Sequence, residues 1–115
     1  MKKPRSRTAL EDAVDRAESA RSKAIALYRL ALFHDNNSRE SVAIPLYESA
    51  IKNGLPLPLK AKALAWLASS FYKTGRPQHA LTRMRQSREI AKSRELRRFL
   101  DGLEARIARS RHRIS

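Results

Sequence analysis

The sequence predicts an all-α domain of about five helices, folded as antiparallel hairpins. Three observations carry that expectation. Helix formers dominate, with only three Gly and five Pro in 115 residues. Apolar residues recur at helical spacing in stretches separated by turn signals. One pattern of large and small residues occurs twice, 37 residues apart.

The first element is weak. MKKPRSR, residues 1–7, is charged, contains Pro4 and reads as a disordered basic arm. Thr8 and Glu11 have the spacing of a capping box, and Asp12 and Asp15 follow near the positive end of the helix dipole. Leu10, Val14 and Ala17 give this helix, 8–20, a thin apolar stripe. From Ala24 the periodicity strengthens: Leu27, Leu30, Ala31 and His34 share one face, Tyr28 and Leu32 another. DNNS, residues 35–38, ends the run.

The next helix starts near Arg39 and carries Val42, Ala43, Leu46, Tyr47, Ala50 and Ile51. Pro45 lies inside it and predicts a bend, because the stripe continues beyond it. Asn53-Gly54 is a stop signal, and the prolines of GLPLPL predict an extended connection. A strong helix follows over about 59–74, with Ala63, Leu64, Leu67, Ala68 and Phe71. Gly75 suits the left-handed residue that ends a helix, and Pro77 the first turn of the next. The fourth strong helix covers about 77–91, and a fifth about 93–109 with Leu96, Phe99, Leu100, Leu103 and Ile107 inward. Residues 110–115 read as a flexible tail.

Leu27-x2-Leu30-Ala31-x2-His34 repeats as Leu64-x2-Leu67-Ala68-x2-Phe71, and Ala43-x3-Tyr47 as Ala80-x3-Met84. These residues resemble the tetratricopeptide repeat, a helix–turn–helix unit of about 34 residues with small residues where its helices cross. AIPLYESAIKNGLP followed by AKALAWLASSFYKTGRPQHAL is similar to a group of small bacterial tetratricopeptide proteins. The resemblance covers about residues 20–107. It implies hairpins stacked as a short right-handed superhelix: repeat 1 about 24–57, repeat 2 about 61–92, and a capping helix about 93–109 within one domain spanning 8–109. A truncated third repeat completed by homodimerisation through that last helix is the alternative. The sequence departs from the pattern at His34, where an aromatic is expected, at Lys92, where proline is usual, and at Leu100, where a small residue belongs.

The resemblance also implies a non-catalytic adaptor that holds a protein or peptide segment in a concave groove lined by the first helix of each repeat. The lining would be Tyr28 and Leu32 from repeat 1, and Lys62, Trp66, Ser69, Tyr72 and Lys73 from repeat 2. Two lysines, aromatic surface and small polar groups suit an acidic tail. Ser69 stands where family members that grip a carboxylate have asparagine. Packing of Tyr28 and Leu32 on helix 8–20 is the competing reading.

Charge supplies the alternative function. Residues 1–58 hold ten Lys/Arg and seven Asp/Glu (+3), whereas residues 59–115 hold fifteen and four (+11). Such a surface attracts polyanions, and Arg83, Arg94, Arg97, Arg98 and Arg106 are candidates for nonspecific contact with a nucleic-acid phosphate backbone. No aromatics interleave with these arginines for base stacking.

Other classes have little to stand on. His34, His79 and His112 lack metal-ligand companions at helical spacing. The chain has no cysteine, no phosphate-binding glycine loop and no nucleophile–base pair. No enzyme activity, cofactor or metal is expected. No apolar run approaches the ~20 residues of a membrane span, and the basic amino end lacks a signal peptide's apolar stretch, so a cytoplasmic protein is the expectation.

Overall fold

The computed structural model describes residues 6–114, with side chains as far as Ser110. The first five residues of the expected basic arm, and Ser115, lie outside the described residues. Among the described residues there are six helices: α1 Arg7–Arg16, α2 Ala20–Asn36, α3 Glu40–Lys52, α4 Leu57–Lys73, α5 Pro77–Ile90 and α6 Arg94–Ile114. The chain divides into two compact units between Pro56 and Leu57. The first holds α1–α3 and the second α4–α6.

In the first unit α2 pairs with α3 and α1 lies on α2. Ser6 is the cap of α1, accepting from Ala9 N at 3.1 Å. The capping box expected at Thr8 and Glu11 therefore does not form; Glu11 instead bonds Arg7 Nε at 3.2 Å, one turn away. A serine two residues ahead of Thr8 caps the helix two residues earlier. The expected helix 8–20 ends at Arg16, because Ser19 opens α2 with its own reciprocal cap on Ser22. α3 runs unbroken through Pro45, which is exposed.

In the second unit α4 pairs with α5, and α6 packs on both. The connection expected to be extended through Pro58 is shorter than predicted: α4 starts at Leu57. A proline in a first turn gives up an N–H that has no partner inside the helix, so Pro58 fits as the second residue of α4. α6 continues to Ile114 and absorbs most of the tail expected at 110–115.

The two α-hairpins are built alike. Ala24, Leu27, Leu30, Ala31, Ala43, Tyr47 and Ala50 are buried in the first; their counterparts 37 residues on, Ala61, Leu64, Leu67, Ala68, Ala80, Met84 and Ser87, are buried in the second. The alanine methyls let paired backbones approach where larger side chains would overpack.

The corners share one backbone conformation and one hydrogen-bond pattern. Ser38 has φ 61° and Gly75 φ 80°. Arg39 N bonds His34 O at 2.9 Å, and Arg76 N bonds Phe71 O at 2.8 Å. Asn37 Nδ2 donates to Phe33 O at 2.6 Å, and Thr74 Oγ1 to Ser70 O at 2.8 Å. These bonds satisfy carbonyls that a helix end leaves free.

The hairpins differ in their polar pins. Tyr47 Oη donates to Asp35 Oδ2 at 2.7 Å in the first. In the second, Met84 replaces the tyrosine, and Ser87 Oγ donates to Ala61 O at 2.8 Å.

Candidate interaction surface

α4 carries most of the residues singled out for a groove. Ala61, Ala65 and Ala68 recur at i, i+4 and i+7 and are buried, whereas Lys62 and Lys73 stay exposed. Trp66 and Tyr72 face α6. The Trp66 ring meets Phe99 edge-on, with centroids 4.8 Å apart. Tyr72 Oη and Ser110 Oγ are 3.0 Å apart and share a hydrogen bond. Both contacts follow chain order, so α4 and α6 run in the same direction. Ser69 is half-buried. Lys62 and Lys73 are eleven residues apart, about 16 Å along the helix.

The first-unit residues pack within their own unit. Tyr28 is 6% exposed, and its ring packs on Tyr47 at 6.2 Å. Leu32 is half-buried in a shallow hollow of about 250 Å³ that it shares with Leu10, Arg29 and Phe33. Helix α1 thus takes up the flank of α2 on which Leu32 lies. His34 is buried, and its Nδ1 accepts a hydrogen bond from Arg39 Nε at 3.0 Å. Burial, and then the positive charges of Arg39 and Arg7, hold its pKa below the ordinary value, against a smaller opposite pull from Glu11. A neutral imidazole accepting at Nδ1 carries its proton on Nε2.

A different concavity is available in the second unit. The amino end of α4, the last turn of α5 and the start of α6 enclose about 520 Å³. Ala61 and Leu96 are buried at its base, Ile90 is half-buried, and Leu57 and Pro58 form an open wall. Lys62, Lys92 and Glu89 are exposed around the apolar surface. Leu57 is 58% exposed; Val42, at 40%, is the other large apolar side chain so exposed among the described residues.

The arginines divide. Arg83 is half-buried and bonds Gln86 at 3.0 Å. Arg97 donates to the Ala91 carbonyl at 3.2 Å, closing the α5–α6 link. Arg88, between them in sequence, pins α6 through Asp101 at 2.9 Å and Glu104 at 2.7 Å. Arg94, Arg98 and Arg106 are exposed on the outer side of α6.

Of the residues around this concavity, the groove expected from the sequence includes Lys62 but not Leu57, Ile90 or Lys92. The exposed leucine after Pro56 was the available signal, and it was masked by reading GLPLPL as a connection. Among the described residues no three His, Cys, Asp or Glu gather as a metal site, and no helix is long and apolar enough to cross a membrane.

Comparison with curated proteins and with solved structures gives no match. A family model described as tetratrico peptide repeat matches residues 24–113, from within α2 almost to the end of α6. With the paired hairpins and their common corner, that match leads to one conclusion: the chain belongs to the tetratricopeptide repeat family.

Proposed function

We propose that the chain is a non-catalytic adaptor and that it holds a segment of a partner protein in the groove beside Leu57. The repeat family suggests a protein–protein interaction module, and its fold is typically non-catalytic. The observation that carries the finer reading is an apolar concavity of about 520 Å³ with a leucine left 58% exposed at its edge. Exposed apolar surface gathered in a concavity is where partners gain most from leaving water.

Lys62 and Lys92 outnumber Glu89 around it, so the favoured segment carries an apolar anchor with a carboxylate nearby. The anchor supplies affinity, and the carboxylate fixes orientation. Trp66 and Tyr72 contribute indirectly by docking α6, which supplies the Leu96 side of the groove.

The test is affinity capture from a nuclease-treated lysate at low and physiological salt, with wild type beside Leu57→Asp and Ile90→Asp. Protein partners that survive nuclease and salt, and are reduced at least about tenfold by either substitution, support the reading. Partners that vanish with nuclease, or that both variants retain, overturn it.

A further inference from the structure

Gly102 sits in the interior of α6, exposed, and a Cβ built on it meets nothing within 4 Å. Glycine is the poorest helix former after proline, and no contact among the described residues asks for it here. The residues around it share one face. At 100° per residue, Arg94, Arg98, Ala105, Arg106 and Arg109 lie with Gly102 in an arc of about 120°, and all are exposed.

Leu96, Leu100, Leu103 and Ile107 occupy the opposite, buried face. Glu95 is the one acid in the arc; Asp101 and Glu104 are turned to Arg88 of α5. No ion pair among the described residues engages the four arginines of the arc. The result is a strip about 22 Å long, basic at both ends and bare at its centre.

We propose that this strip docks an acidic α-helix of a partner protein, crossing α6 at Gly102 and Ala105. The missing side chain lets a second helix come nearer than the usual 8–10 Å between axes. The arginines on either side then reach carboxylates on the crossing helix, where their planar forks pair in two-point fashion.

A second copy of α6 does not fit, because arginines would face arginines. A phosphate backbone would touch the guanidinium tips but gain nothing from bare backbone at Gly102. Charge therefore sets the sign of the partner, and the glycine sets its shape. The strip goes beyond the groove at Leu57 and is tested apart from it.

The probe is a synthetic alanine-based helical peptide with two glutamates on each side of an Ala-Gly centre. Its anisotropy is followed with the full chain at about 50 mM salt. A lysine-for-glutamate peptide and a short DNA duplex serve as comparisons. Gly102→Gln is polar and a better helix former, so its melting temperature should rise by a few degrees while affinity for the acidic peptide falls about tenfold.

Arg98→Ala/Arg106→Ala should lose about tenfold with unchanged helix content, and Leu57→Asp should bind as wild type. Equal binding by Gly102→Gln and wild type overturns the proposal. So does a duplex that binds more tightly than the peptide and responds only to the arginines, or an acidic peptide that does not bind at all.

Discussion

Exchanging the two corner residues is the sharpest test of the repeat. Ser38 holds φ 61° and Gly75 φ 80° at the same place in their hairpins. A residue with a Cβ loses about 1–2 kcal/mol in the left-handed region, from the clash with its own carbonyl. Glycine escapes that cost but gives the unfolded chain about 0.4–1 kcal/mol more conformational entropy. Beyond Gly75 and its two chain neighbours, nothing described lies within 4 Å of a Cβ built there, so the cost of a side chain comes from the local backbone conformation and not from packing.

The difference predicts that Ser38→Gly stabilises by about 0.5–1 kcal/mol and that Gly75→Ser destabilises by about as much. The double exchange should return close to wild type, since separated sites add. Urea unfolding followed by circular dichroism gives the midpoints. If Ser38→Gly lowers the midpoint, or Gly75→Ser leaves it unmoved, the two corners are not equivalent and the argument from the repeat fails at its best-defined point.

Other substitutions follow from single contacts. Tyr47→Phe removes the 2.7 Å bond to Asp35 and should cost about 1–2 kcal/mol, because the half-buried carboxylate recovers some hydration; urea unfolding reads it. Burial and the Asp35 carboxylate push the Tyr47 phenol above its ordinary 10, so it remains a donor throughout the neutral range. His34 has a native pKa below its ordinary 6.5. Between those values the unfolded chain binds the extra proton, so this contribution to stability is present above pH 6.5 and declines as the pH falls below it. Changing His34→Phe, the residue found at Phe71, should flatten that part of the pH profile; an unchanged slope would assign it elsewhere. Phe99→Ala removes the ring against Trp66 and should cost about 2 kcal/mol. Trp66 is the single tryptophan, so its emission should shift to the red, and an unshifted spectrum would place the ring contact in doubt.

Much of the helical order was legible because it depends on local chemistry. The 37-residue offset came from alanines and leucines, and those positions are buried in both hairpins. Gly75 and Pro77 marked a corner that the hydrogen bonds confirm. Ends were harder wherever two residue types compete for one task. Ser6 displaced Thr8 as a cap, and Pro58 entered a helix because a first turn does not need its N–H.

The surface was the least legible. Helical spacing puts Tyr28, Trp66 and Tyr72 on one side of their helices, yet a face is open only if nothing else packs there. Trp66 and Tyr72 turn to α6, and Tyr28 turns to Tyr47. The groove beside Leu57 draws on three chain segments brought together by folding, so no window of sequence displays it.

Hydrogen exchange on the chain with and without a captured partner tests the central claim most directly. Binding in the groove should slow amide exchange over residues 57–62 and 89–96, with the rest of the second unit little changed. Protection that leaves those two stretches untouched would contradict the account.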